Sequence, residues 1–368
     1  MLNRVVIMAG GTGGHVFPAL AVAQALQEKG VVVTWMGTRN GLEADVVPKA
    51  GFEIDWIKVR GLRGNGLGGW ILAPFKLVLS GLQAAMIVKQ RNPDVVIGLG
   101  GFVTGPGGFM AWLLRKPVVI HEQNAIPGLT NRLLANLSKR VLEAFPGAFS
   151  ASVNAVAIGN PLRAAFITKQ KPADRFLARE NAATDLLGTN NKFRLLVVGG
   201  SLGARVINLL LPKVVKKIGH DLLEVRHQTG KKLFEETQVA YRNEKVKANV
   251  SPFIDDMAEA YAWADVVLCR AGALTVSELS AIGVASILVP FPHAVDDHQT
   301  RNARFLVDVG AARLVLQHEL NANVLVELLT ELLNDRDKVL RMAEAAYSQR
   351  QTNSVEQLIQ CCEEVARV

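Results

Sequence analysis

The sequence predicts an α/β protein of two similar halves, each a parallel sheet covered by helices on both faces. Three observations carry this. Short continuous runs of β-branched and aliphatic residues alternate with helical patterns along the chain, as in strands buried on both faces. A strand running into a glycine turn and then a helix occurs twice, at Gly10-Gly11-Thr12 and at Gly199-Gly200-Ser201, about half the chain apart. The 368 residues are 49% apolar, enough for two cores and too apolar for a disordered chain.

In the first half, Val5–Met8 reads as a buried strand and Val16 to Gln27 as a helix. Between them, Gly10, Gly11, Gly13 and Gly14 let the backbone turn tightly and approach a ligand. The helix start offers N–H groups to a phosphate. The stretch reads Gly-Gly-Thr-Gly-Gly-His, not G-x-G-x-x-G, so a nicotinamide dehydrogenase is not indicated. A ligand loop and a turn that serves only the fold both stay open. The stretch ends in His15, a side chain suited to moving a proton near neutral pH. Val31–Met36 is the next strand, and Val95–Leu99 and Val118–His121 follow, each after a Pro or Pro-Asp break. A second glycine cluster, Gly98 to Gly108, places Pro106 in the first turn of a helix. It reads either as an anion loop or as close helix–sheet packing.

The pattern changes near Gly159-Asn160-Pro161-Leu162-Arg163, and Ala164 to Asn191 reads as a linker with one helix. The second half then supplies strands at Arg194–Val198, Leu223–Gln228, Val250–Phe253, Val266–Cys269, Ser286–Val289 and Ala312–Val315. Asp335 to Val368 is helical in pattern, with the choice between the two halves open. In such folds ligands sit at the carboxyl ends of the strands, where these glycine turns fall. The two halves are therefore expected to face each other across a cleft lined by helix starts, acids, amides and histidines.

Composition narrows the partners. A formal charge of +8 favours an anionic one: nucleic acid, anionic lipid or a phosphorylated substrate. No basic run with interleaved aromatics appears, which argues against nucleic acid. A mean hydropathy of +0.21 is high for a basic protein and points to a membrane surface. The three cysteines, Cys269, Cys361 and Cys362, form no C-x-x-C pair, and the N-terminus lacks a signal-peptide pattern; a reducing cytoplasm fits.

From Trp56 to Asn92 there is no acidic residue, but Lys58, Arg60, Arg63, Lys76, Lys89 and Arg91 are basic. Pro74, Lys76 and Gln83 interrupt its apolar run, which makes it a poor membrane span. A basic, amphipathic surface beside anionic lipid suits it better. The other reading is a sheet-packing helix whose core face is Phe75, Val78, Leu79, Leu82 and Met86.

The densest chemical signal lies in the second half. A strand ends at Cys269, Gly272 turns, and Ala273 starts a helix whose N–H groups suit a diphosphate. Glu278, one turn inside, is placed for the two hydroxyls of a ribose, or is a solvated helix residue. Pro290 to Asn302 gathers prolines, acids, His293, His298 and Gln299 in one strand-end loop. His121-Glu122-Gln123-Asn124 is a similar polar cluster. There is no H-E-x-x-H, and the adjacent pairs Asp255-Asp256 and Asp296-Asp297 need not converge, so a required metal is not indicated.

Read together, Gly10 to His15 with Val16-Phe17-Pro18-Ala19-Leu20-Ala21, then His121-Glu122-Gln123-Asn124, Gly159-Asn160-Pro161, Gly199-Gly200-Ser201, Phe253-Ile254-Asp255-Asp256-Met257 and Arg270 to Glu278, resemble the MurG family. These are the bacterial peptidoglycan N-acetylglucosaminyltransferases of glycosyltransferase family 28, and the resemblance runs in order from residue 4 to about residue 315. It implies the GT-B architecture of two Rossmann-like domains. The first, 1–163, would take the acceptor and the membrane; the second, 164–344, would take UDP-GlcNAc; the C-terminal helix at about 345–368 is a candidate to pack back on the first.

The resemblance further implies inverting transfer of GlcNAc from UDP-GlcNAc to the C4 hydroxyl of undecaprenyl-diphospho-N-acetylmuramoyl-pentapeptide. No cofactor and no metal are implied. The place is the cytoplasmic face of the inner membrane, peripherally, on an anionic membrane surface, with other cell-wall synthesis proteins as candidate partners and no nucleic acid. By position, Thr12, Gly13 and Gly14 match the donor-contacting loop, and Asn124, Arg163 and Ser201 match its amide, basic residue and hydroxyl. Ile254 matches the uracil-side backbone, and Ala273, Leu274, Thr275, Val276, Ser277 and Glu278 match the diphosphate helix, with Glu278 on the ribose. Gln299 matches the donor-sugar amide, and His15 the histidine near the reacting hydroxyl, with Glu122 the alternative base. Ala271 departs from family members that carry Ser there, which removes one hydroxyl contact to phosphate.

Two further readings differ in class. A UDP-GlcNAc 2-epimerase shares the fold and nucleotide but needs no membrane surface. A non-catalytic partner would not need His15, Arg163, Ser201 and Glu278 together.

Overall fold

The computed structural model describes residues 2–59, 67–167, 170–185, 192–200, 203–219, 221–292 and 294–367. The chain divides into two compact units, Met1–Ala164 with Gln351–Val368, and Ala165–Arg350.

The first unit runs β1 (Arg4–Met8), α1 (Gly13–Glu28), β2 (Val32–Gly37), α2 (Glu43–Lys49), β3 (Glu53–Trp56), α3 (Leu67–Arg91), β4 (Val95–Gly98), α4 (Thr104–Leu113), β5 (Val118–Glu122), α5 (Leu129–Ala135), β6 (Arg140–Glu143) and β7 (Val156–Ala157). Its sheet has the order β3-β2-β1-β4-β5-β6-β7, with every pairing parallel. The central strands are fully buried, from Val5 to Met8, Val95 to Ile97 and Val118 to Ile120, which is why they read as unbroken apolar runs. The order reverses between β1 and β4, so the crevice at their carboxyl ends lies under the loops that open α1 and α4.

The second unit runs α6 (Pro172–Asp185), β8 (Phe193–Val198), α7 (Arg205–Ile218), β9 (Leu223–Gln228), α8 (Phe234–Glu244), β10 (Asn249–Ser251), α9 (Met257–Trp263), β11 (Val266–Cys269), α10 (Ala273–Ile282), β12 (Ala285–Leu288), α11 (His298–Val307), β13 (Ala312–Leu314), α12 (Ala322–Asn334) and α13 (Arg336–Ser348). Its parallel sheet has the order β10-β9-β8-β11-β12-β13, and the reversal between β8 and β11 repeats the first unit's plan.

The last helix, α14 (Ser354–Ala366), belongs to the first unit. Leu358, Ile359, Cys362 and Val365 form one apolar stripe, all buried in the core beneath α1. Burying such side chains contributes roughly 1.5–3 kcal/mol each.

The helix α3 resolves one open reading. Ala84 and Val88 are its core contacts, whereas Phe75 is 74%, Val78 64%, Leu82 57% and Met86 62% exposed, and Leu79 is exposed beside them. That apolar face is therefore not a sheet-packing face. Phe109, Trp112 and Leu113 of the adjoining α4 are exposed as well. No helix among the described residues is long and apolar enough to cross a membrane. Of the six basic residues, Arg91 is committed within the fold: it donates to both Asp55 oxygens at 2.8 Å and to Glu53, and these carboxylates raise its pKa. Arg60 and Arg63 lie outside the described residues.

Candidate active site

The first site is built on the β1–α1 loop. The Trp35 indole donates to the Ala9 carbonyl at 2.8 Å and fixes where β1 ends. Gly11 then takes a φ of +95°, a conformation that favours glycine. The buried carboxylate of Glu43 accepts the Gly11 N–H at 2.8 Å, the Thr38 N–H at 3.0 Å and the Thr38 hydroxyl at 2.7 Å, tying this loop to the one after β2. Gly10 and Gly41 are small because a Cβ at either would strike that carboxylate.

Thr12 caps α1 in an extended conformation without a side-chain hydrogen bond to the helix. Its carbonyl accepts from His15 and Val16, so the Gly13 and Gly14 N–H groups remain at the half-buried helix start. Thr12, Gly13, Gly14 and His15 thus come together, with His15 half-buried. The His15 ring lies against Gly100, where a Cβ would meet Nδ1 at 2.6 Å. Gly100 and Gly101 both have positive φ, and Gly101 closes on the Gly10 backbone. Three more glycines of this cluster serve packing: a Cβ at Gly107 would strike Met8, at Gly108 Leu134 and at Gly98 Thr104. The close-packing reading therefore holds at Gly98, Gly107 and Gly108, and the anion-loop reading stays open for the start of α4.

The end of β5 supplies the polar wall. His15 Nδ1 lies 2.9 Å from Gln123 Oε1. Glu122 is buried and fully occupied: Oε1 accepts the Asn124 N–H at 3.0 Å and its amide at 3.1 Å, and Oε2 accepts from Gly128 at 3.1 Å and Asn131 at 2.9 Å. With four donors on two oxygens, Glu122 shapes the loop and is not placed to take a substrate proton. The same bonds orient Asn124. Arg163 is exposed and stacks over Phe17 of α1, 5.4 Å from the ring centroid.

The second unit carries its own site. Gly199 and Gly200 end β8, and Gln228 clamps them: Oε1 accepts the Gly200 N–H at 3.0 Å, while Nε2 donates to the carbonyls of Gly200 at 3.2 Å and Pro252 at 3.0 Å. The clamp fixes the glycine turn to the segment leading to Phe253 and half-buried Ile254. Ser201 lies outside the described residues. Behind the turn, His227 is buried between the Tyr241 hydroxyl at 3.0 Å and Asn208 Oδ1 at 3.1 Å, and burial pushes its pKa down to about 3.

At α10, Gly272 is the N-cap and no side chain covers the helix start, which leaves the N–H groups from Ala273 to Thr275 available. Val276 is a packing residue: its N–H bonds the Gly272 carbonyl at 2.9 Å and its side chain is in the core. Ala273 is also buried and offers only backbone, whereas Leu274, Thr275, Ser277 and Glu278 are half-buried. The Tyr261 hydroxyl donates to Glu278 Oε2 at 3.3 Å. Gln299 Oε1 accepts the Phe291 N–H at 2.9 Å, so its amide NH2 is the end left for a ligand. Among the described residues no group of three or more His, Cys, Asp or Glu is arranged to hold a metal.

Glu43, Gln123, Gln228 and Tyr261 were not separable as site residues from sequence. Each is an ordinary polar residue whose role comes from a partner far along the chain. Gln123 alone had a signal, its place between Glu122 and Asn124.

Two α/β units, each with a glycine turn at the reversal point of a parallel sheet and an uncapped helix start, give the paired Rossmann-like domains of the GT-B class. The glycosyltransferase family 28 N-terminal domain matches residues 5–143 and the family 28 C-terminal domain residues 194–360. The UDP-N-acetylglucosamine--N-acetylmuramyl-(pentapeptide) pyrophosphoryl-undecaprenol N-acetylglucosamine transferase of Methylococcus capsulatus is 50% identical over 366 residues, 100% of this chain and 99% of that protein. The crystal structure of Acinetobacter baumannii MurG matches with a TM-score of 0.83 at 41% identity, over 98% of this chain and 99% of that one. The Neisseria meningitidis UDP-GlcNAc 2-epimerase matches with a TM-score of 0.65 over 99% of this chain and 100% of its own, but at 12% identity, a likeness of fold alone. The chain belongs to the MurG family of glycosyltransferase family 28.

Proposed function

We propose that this protein transfers N-acetylglucosamine from UDP-GlcNAc to the C4 hydroxyl of N-acetylmuramoyl-pentapeptide carried on undecaprenyl diphosphate, with inversion at the anomeric carbon. The observation that carries the reading is 50% identity over the whole chain to a transferase named for that reaction. The 2-epimerase reading has only the shared fold behind it.

The second unit takes the donor. The α10 start meets the diphosphate, Glu278 accepts from the ribose hydroxyls, the backbone at Ile254 meets the uracil, and the Gln299 amide meets the sugar. Ser201 is assigned to the diphosphate by resemblance. The first unit takes the acceptor at the Gly13–Gly14 N–H groups, with Asn124 and Arg163 beside the reacting groups.

The acceptor oxygen attacks the anomeric carbon as the bond to the UDP oxygen breaks. His15 Nε2 takes the hydroxyl proton, and UDP leaves with the bonding pair. The growing charge is met by oriented N–H groups at the helix start and by Arg163. The exposed face of α3 and α4, with Lys76 and Lys89, is assigned to the anionic surface in which the acceptor's lipid sits.

The test is UDP release from UDP-GlcNAc with and without a lipid-linked acceptor analogue, in EDTA and in its absence. Release that needs the acceptor and survives EDTA is expected. UDP-ManNAc formation without acceptor would favour the epimerase.

A further inference from the structure

We infer that Gln123 and His121 are positioning residues that hold His15 as the Nδ1–H tautomer, leaving Nε2 with the lone pair that takes the acceptor proton. The inference rests on the reading of His15 as the base.

The relay begins at a group that can only accept, the Gly159 carbonyl. His121 Nε2 lies 2.9 Å from the Gly159 carbonyl oxygen, so Nε2 carries a hydrogen. Burial pushes the His121 pKa down to about 4, against the raising effects of the Gly159 carbonyl and Glu122, so the ring is neutral at physiological pH. A neutral ring with Nε2–H has its lone pair on Nδ1. Gln123 Nε2, 3.2 Å away, must then be the donor to it. That fixes the amide the other way round at its far end, where Oε1 faces His15 Nδ1 at 2.9 Å. An amide oxygen only accepts, so His15 Nδ1 carries the hydrogen. The tautomer of His15 follows from a backbone carbonyl three hydrogen bonds away.

The relay is held rigidly at its outer end. Gln123 is 1% and His121 0% exposed, so water does not compete for these bonds. Gly159 has a φ of +80°, and a Cβ there would strike Gln351 and Ser354 of the returning C-terminal segment. Asn160 Nδ2 donates to the Gln123 carbonyl at 3.1 Å. Among the described residues His15 Nε2 makes no hydrogen bond.

The amide differs from the carboxylate that backs the histidine of a hydrolytic triad. It selects a tautomer without adding charge, and the wrong tautomer is costly where an imidazole must accept at one nitrogen.

The test is the histidine side-chain ¹⁵N spectrum of the full-length protein at pH 8, with His15 assigned by its loss in His15→Asn. The wild type is expected to show neutral His15 protonated at Nδ1. Gln123→Met, similar in shape but unable to make either bond, should move His15 toward Nε2–H. It should also lower kcat at least about tenfold, with KM for UDP-GlcNAc held within about twofold of wild type. Wild-type His15 protonated at Nε2 would overturn the relay, and that spectrum needs no variant to fold. An unchanged tautomer and kcat in Gln123→Met would overturn it too. A fixed Nδ1–H tautomer in an enzyme whose His15→Asn variant turns over normally would support the relay and remove His15 as base.

Discussion

Glu43 Oε2 accepts the Gly11 N–H at 2.8 Å, and so a buried carboxylate from one strand-end loop sets the shape of another. The Gly10–His15 turn is held from outside itself. Replacing Glu43 with Ala removes three hydrogen bonds to charge, each worth roughly 1.5–3 kcal/mol. Part of this is recovered by water entering the gap. Glu43→Ala is expected to lower the stability of the first unit by about 2–4 kcal/mol, read as a lower urea midpoint. A midpoint at the wild-type value would show that the loop holds its shape without the carboxylate.

The Tyr261 hydroxyl supports Glu278 through a 3.3 Å bond, a long one, so its contribution is modest. Tyr261→Phe should weaken UDP binding by about threefold in calorimetry, consistent with a neutral-donor bond of under about 1 kcal/mol. Glu278→Ala should weaken it much more. Equal affinity in Glu278→Ala and wild type would remove the ribose from that residue.

Two buried histidines make stability depend on pH. His227 in the second unit is held at about 3 and His121 in the first at about 4, both mainly by burial. An unfolded histidine titrates near 6.5, so below that pH the unfolded chain binds protons that the folded chain refuses. Each contribution is complete above pH 6.5 or so and is lost as the pH falls toward the folded value, at up to about 1.4 kcal/mol per pH unit. Urea midpoints should therefore fall between pH 7 and pH 5, and His227→Gln should flatten the slope for the second unit. A midpoint unchanged over that range would contradict the buried, neutral state of both rings.

The exposed face of α3 bears no structural load. Phe75→Ser with Leu82→Ser should leave the urea midpoint unchanged while cutting co-sedimentation with anionic vesicles by about tenfold or more. Undiminished vesicle binding would move the membrane contact elsewhere.

The central strands were legible because burial on both faces demands unbroken apolar runs, and Val266–Cys269 came out to the residue. The edges were not. Glu53–Trp56 alternates polar and apolar residues, Arg140–Glu143 has two apolar residues, and Val156–Ala157 is exposed. The Phe75–Met86 stripe shows the limit of periodicity: an apolar helix face has the same spacing whether it meets a sheet or faces outward. The site was legible where chemistry is local, as at the two helix starts. It was illegible where it depends on a distant partner, as with Glu43 for Gly11 and Gln228 for Pro252.

The central claim divides the labour: the first unit performs the proton transfer at His15, and the second holds the nucleotide. The most direct measurement is kcat and UDP affinity for His15→Ala, made on the same preparation. The account predicts a loss of turnover of about 10²–10⁴-fold, the range for a general base, with UDP bound as tightly as in wild type. Turnover near the wild-type rate would contradict it and leave His15 as a residue that only shapes the helix start.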